Sequence, residues 1–183
     1  MATRANIKII EGDKVTWLYH HWDGYPEYLG AFLLWRLYNR LENTNYYIDT
    51  GYIVNGLLKD KADDGFEYTT DMHGDIKYLY EVNIDNRTLR CFEMEFVENP
   101  NEKGTYEIKL GDEVNLKTSV SEYKPVKTTV DNKEVWYLCD YRGNNYLDDK
   151  HCTAYFDSKE QAQTRAFEHV FEVFDAKYKD KGE

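Results

Sequence analysis

The chain has 183 residues, 34 acidic and 23 basic, for a net charge of −11, and 16% of its residues are aromatic, 17 of them tyrosine. That length fits one domain with a sizeable core, and the acidic balance argues against nucleic acid or an anionic membrane as partner and for a basic protein surface. Cys91, Cys139 and Cys152 are odd in number and lack a C-x-x-C spacing, so neither a disulfide framework nor a structural zinc site is expected. The first residues carry no apolar core of a signal peptide and no apolar run is long enough to span a bilayer, so the expected location is cytoplasmic.

In chain order, residues 6–10 read as a strand, Glu11-Gly12-Asp13-Lys14 as a turn and Val15–His21 as the returning strand of a hairpin. In that second strand Val15, Trp17, Tyr19 and His21 share one face, and Thr16, Leu18, His20 and Trp22 the other. The adjacent histidines therefore point in opposite directions. Asp23-Gly24-Tyr25-Pro26 breaks the strand, and Pro26 suits a first helical position. Leu29, Phe32, Leu33, Leu37 and Leu41 then follow helical spacing, giving a helix from Pro26 to Glu42 that packs on the hairpin, with Gly30 at a close approach. Ile53, Val54, Leu57 and Leu58 predict a second helix over 50–60, and residues 59–65 a charged loop.

Strands are predicted over 66–70, 76–83 and 88–97, with turns at 72–75 and 84–87. The alternation slips at Cys91-Phe92, which points to a bulge there. Asn99-Pro100-Asn101-Glu102-Lys103-Gly104 is the strongest loop signal, and a subdomain boundary is expected near 98–104 if the single domain divides. Shorter strands follow over 105–110, 114–119, 126–130 and 134–141, the last two joined by an Asp131-Asn132-Lys133 turn, then a polar loop over 142–152. Ser158 and Gln161 form a capping-box pattern ahead of a long C-terminal helix with Ala162, Ala166, Phe167, Val170, Phe171 and Phe174 on one face. The fold class is α+β: an antiparallel sheet opened by an N-terminal hairpin, packed against helix one and the C-terminal helix.

The groups that bear chemistry are scattered. His20, His21, Asp23, His73, Asp75, His151 and Cys152 are metal or acid–base types, yet none stands at a diagnostic spacing and they lie on separate loops. Cys152 follows His151 directly, and chain neighbours rarely make the base–nucleophile hydrogen bond. There is no G-x-S-x-G elbow and no glycine-rich phosphate loop. No catalytic residue, metal or cofactor is assigned. Recognition is better supported. Trp17, Trp22, Tyr25 and Tyr28, with Asp23 and Glu27, make an aromatic and acidic group around a stiff turn, where rings can anchor and acids meet Arg or Lys. The plainer alternative has Trp17 and Trp22 cementing the hairpin to helix one.

The string His20-His21-Trp22-Asp23-Gly24-Tyr25-Pro26-Glu27, with Leu29-Gly30, resembles a motif of small proteins from phages and other bacterial mobile elements. In those proteins H-W-D-G-Y-P follows an opening hairpin and leads into a helix. Residues 72–80, a glycine turn before an aromatic strand, resemble a second shared block, so the likeness covers about residues 5–95. It implies a mobile-element setting and a role in countering host defence within the bacterial cell. A small acidic protein of this kind is also similar to anti-CRISPR proteins that occupy basic, DNA-holding surfaces of type II effectors. The resemblance implies a phage or mobile-element inhibitor that binds a host CRISPR–Cas effector nuclease, Cas9 being the specific expectation, without itself binding nucleic acid or membrane. The residues expected to meet that partner are Trp22, Asp23, Tyr25 and Glu27, then Asp63 and Asp64, and Asp148 and Asp149. The alternative is a small enzyme or nucleotide-binding protein with a polar site of His20, His21, Asp23 and His73.

Overall fold

The computed structural model describes residues 3–42, 44–60, 65–148 and 151–178. The fold is α+β, and the chain divides into two compact units, Met1–Leu116 and Lys117–Glu183. The division falls at residue 116 and not in the 98–104 loop, which instead closes a hairpin. Among the described residues no helix is long and apolar enough to cross a membrane.

The first unit opens with the predicted hairpin, β1 (Ala5–Glu11) and β2 (Lys14–His20), in unbroken antiparallel register from Ala5↔His20 to Glu11↔Lys14. Pro26–Gly30 follows as one π-helical turn and leads directly into α1 (Ala31–Glu42). α2 spans Thr50–Asp60, and the Asp49 carboxylate caps it by accepting from the Tyr52 N–H at 2.6 Å. Four strands complete the sheet: β3 (Phe66–Thr69), β4 (Tyr78–Asn83), β5 (Thr88–Glu98) and β6 (Tyr106–Val114). Their order is β3-β2-β1-β4-β5-β6, antiparallel at every junction except the parallel β1–β4 pair.

Both faces of this sheet are covered. On one face Ile7, Ile9, Leu18, Tyr80 and Val82 are buried, as are Phe32, Leu33 and Leu37 of α1 and Ile53 and Leu57 of α2. Gly30 earns its place here, since a Cβ would sit 3.2 Å from the Leu116 side chain and 3.3 Å from the Tyr80 ring. The Arg87 guanidinium donates to the carbonyls of Arg40, Thr44 and Tyr46 around the end of α1, and so satisfies carbonyls a helix leaves open. The other face carries a smaller cluster of Tyr19, Ile76, Leu79, Phe92 and Met94, flanked by Trp17, Met72 and Ile108.

Two-sided burial explains the slip in alternation at Cys91-Phe92. Cys91 pairs with Tyr80 and Phe92 with Leu79, so each faces its own apolar layer, and β5 runs regularly through them. The irregularity lies one step further on, where Gly111 and Asp112 of β6 together oppose Glu93. Gly111 permits it: a Cβ there would overlap the Glu93 carbonyl oxygen. Strand β6 consequently runs on through 111–114, and the strand predicted over 114–119 is instead the end of β6 and a helical turn, α3 (Leu116–Ser119).

In the second unit β7 (Lys124–Val130), β8 (Lys133–Cys139) and β9 (Tyr155–Phe156) form a separate antiparallel sheet. Asp131 and Asn132 both take positive φ, 49° and 63°, as a two-residue hairpin turn of matching twist requires. The long C-terminal helix, α4 (Lys159–Tyr178), packs on this sheet around Leu138, Ala162 and Ala166. Ser158 caps α4 through the Gln161 N–H, while the Gln161 side chain reaches back to the Asp157 N–H.

Candidate functional site

The turn between β2 and α1 is fastened at its base from several sides. The Gly24 N–H donates to the Thr3 carbonyl at 2.7 Å, and the Gly24 carbonyl accepts the hydroxyl of the fully buried Tyr80 at 3.0 Å. No side chain fits at Gly24, because a Cβ would lie 2.7 Å from the Ala5 Cβ and 3.0 Å from the backbone of Arg4 and Ala5. The His21 N–H donates to the Gly65 carbonyl, and the Tyr25 carbonyl accepts from Tyr28 and Leu29 as the π-turn begins. Tyr25 itself is extended, as a residue before proline prefers, and among the described residues there is no cis peptide bond.

None of these bonds uses the side chains at the apex. Trp22 is 57% exposed and lies over Gly65, whose Cα faces the indole edge so closely that a Cβ would sit 2.9 Å from it. Asp23 is exposed, with φ 50°, a left-handed conformation that aspartate tolerates better than most residues. Tyr25 and Glu27 are half-buried. Burial is the main reason that the pKa values of Tyr78, Tyr80 and Cys91 are raised, and the nearby Glu27 charge adds to all three, so Glu27 faces the sheet as well as solvent. Neither indole holds the hairpin to α1: Trp17 packs on the opposite face of the sheet, and Trp22 covers Gly65.

The histidines separate as the strand phase predicts. His20 is buried and stacks on Phe66 with ring centroids 4.2 Å apart. His21 and His73 lie on the other face, each against the Tyr19 ring, at 4.6 Å edge-on and 4.0 Å stacked. The Tyr19 hydroxyl donates to the Asp75 carboxylate, which also pairs with Arg4 at 2.9 Å. His73 is positioned by the Asn6 side chain, which accepts its N–H, and its ring is 3.0 Å from the Thr69 hydroxyl; His21 lies 3.4 Å from Glu67. Burial, and then the nearby Asp75 charge, raise the Tyr19 pKa, so its proton is held and the phenol acts as a pin. With His20 behind the sheet, the set His20, His21, Asp23 and His73 does not form one constellation. Among the described residues no three His, Cys, Asp or Glu side chains are arranged to hold a metal ion.

The remaining expected residues fare differently. Asp63, Asp64 and Asp149 lie outside the described residues. Asp148 is exposed, but its carboxylate closes its own loop by accepting the Cys152 N–H at 2.9 Å. His151 and Cys152 belong to that loop, in the second unit. Burial pushes the Cys91 thiol up to about 12. A disulfide reagent at neutral pH is therefore expected to label the exposed Cys152 and to reach Cys91 only after denaturation; rapid native labelling of Cys91 would contradict the buried placement.

Sequence reasoning missed the far end of the β5–β6 hairpin. Past Met94 it carries Phe96, Tyr106 and Leu110, all well exposed. The signal was present in Tyr106-Glu107-Ile108-Lys109-Leu110, a strict apolar–charged alternation. Compared with family models, curated proteins and solved structures, the chain finds no match.

Proposed function

We propose that the chain is a counter-defence protein of a phage or mobile element, which binds a basic surface of a host CRISPR–Cas effector and blocks its engagement of nucleic acid. The observation that supports this reading is the apex of the β2–α1 turn. The packing of the fold accounts for Gly24, Tyr25 and Pro26, but it leaves the Trp22 indole and the Asp23 carboxylate turned outward on a fastened base. A large rigid ring beside an acid, held in place before binding, is the composition of an interface anchor for an arginine- or lysine-rich partner. The net charge of −11 adds attraction at longer range. The resemblance of the 20–30 segment to mobile-element proteins supplies the setting, and Cas9 is the specific partner to try first because its nucleic-acid channel is basic.

The catalytic reading has less support, since His20 lies behind the sheet and the Tyr19 phenol is tied to Asp75. Binding to purified Cas9, loaded with guide and tested before target DNA is added, is expected to weaken steeply as salt rises from 0.1 to 0.5 M. Binding that ignores salt, or no binding to any CRISPR effector, would overturn the proposal.

A further inference from the structure

Strand β6 closes the first unit's sheet, and among the described residues its outer side is paired with nothing. β4 reaches only as far as Glu93 along β5, so residues 95–98 and 106–109 form a two-stranded ribbon beyond the body of the sheet. A ribbon of two strands is marginal by itself in water. One face of it is largely apolar: Ile108 packs against the outer cluster, while Phe96, Tyr106 and Leu110 are 48%, 62% and 57% exposed, with Glu98 beside Tyr106 at the tip, where its carboxylate accepts the Gly104 N–H. The other face carries Glu95, Val97, Glu107 and Lys109. The bulge at Gly111–Asp112 breaks regular pairing beyond Leu110, so the usable edge is Tyr106–Leu110.

This edge is complementary to itself. Set antiparallel to a second copy and centred on Ile108, it places Ile108 opposite Ile108, Tyr106 opposite Leu110, and Glu107 opposite Lys109, the last two twice over by symmetry. Every charged residue of the segment then meets its opposite, and the apolar faces of the two ribbons become one. We propose that β6 is a homodimer edge, pairing Tyr106–Leu110 with the same segment of a second chain to give a continuous sheet ordered β5-β6-β6-β5 across the junction. The occupant is a second copy and not a foreign strand, because a uniformly basic or acidic strand would leave Lys109 or Glu107 facing a like charge. The contact is small, so the dimer forms and dissolves with concentration.

The experiment is sedimentation equilibrium of the full chain from about 1 µM to 1 mM at moderate salt, a span covering transient affinities. The wild type is expected to pass from monomer to dimer. Glu107→Lys alone and Lys109→Glu alone each create two like-charge pairs and are expected to stay monomeric at concentrations where wild type is dimeric. An equimolar mixture of the two variants restores both pairs, as does the double swap in one chain, and both samples are expected to dimerise. The mixing result also separates lost pairing from misfolding, since misfolded variants would not recover on mixing. A wild type that stays monomeric throughout, or a dimer indifferent to the single reversals, overturns the proposal and leaves the edge to a foreign strand.

Discussion

Replacing Tyr80 with alanine is expected to destabilise the first unit by about 3–5 kcal/mol, the range for losing a large buried aromatic side chain. The ring is fully buried between the sheet and the π-turn, touching the site where Gly30 lacks a side chain. Its hydroxyl is also the partner of the Gly24 carbonyl. Tyr80→Phe keeps the ring and removes that donor, so the expected cost falls to about 1–3 kcal/mol, the cost of a buried carbonyl left unpaired. Denaturant unfolding followed by tryptophan fluorescence reads this unit well, because Trp17, Trp22 and Trp35 all belong to it. Equal losses for both variants would show that the hydroxyl, and not the ring, carries the packing.

The same phenol sets a pH dependence. Burial raises the Tyr80 pKa well above 10.0, so the fold favours the protonated form. Its contribution is complete below pH 10 and erodes as pH rises beyond that, where the unfolded phenol ionises and the folded one does not. Tyr80→Phe is expected to flatten the alkaline loss of stability without abolishing it, since Tyr19 and Tyr78 are shifted in the same direction.

The second large effect is expected at Gly24. An added methyl would meet the backbone of Arg4 and Ala5 at 3.0 Å and the Ala5 Cβ at 2.7 Å, and β1 is locked on both sides by β2 and β4. Neither neighbour can give way cheaply, so Gly24→Ala is expected to cost about 1–3 kcal/mol through overpacking. It should also displace the apex, lowering affinity for the proposed effector partner together with stability. Trp22→Ala differs in kind: the ring is more than half exposed, so its removal is expected to leave stability close to wild type while binding falls.

Much of the fold was legible in the residues. The hairpin, both helices of the first unit and the capped C-terminal helix follow from turn chemistry, period and capping, which act over a few residues. What escaped depends on neighbours distant in sequence. Cys91-Phe92 looks like a bulge until both faces of β5 are known to be covered, and the gap between the strands predicted over 105–110 and 114–119 closes only once Gly111 is found against the Glu93 carbonyl. The loop at 99–104 has every mark of a boundary, yet it closes the β5–β6 hairpin: Asn99 and Thr105 are hydrogen-bonded across it, and the chain divides further on. Around the site, strand phase already separated His20 from His21, and proline and glycine marked the turn. The stacking of His73 on Tyr19 joins residues 54 positions apart, and no local pattern encodes it. Asp148 drew attention as an exposed acid, whereas its oxygen is engaged by its own loop.

The decisive measurement is the affinity of guide-loaded Cas9 for the wild-type chain, Trp22→Ala and Asp23→Asn, by calorimetry with unfolding curves on the same samples; asparagine removes the charge and tolerates the positive φ of position 23. The proposed anchor role predicts that both variants fold as wild type does, and that each loses at least about 10-fold in affinity, as the removal of an interface anchor does. Two variants that are fully folded and bind as tightly as wild type would contradict it.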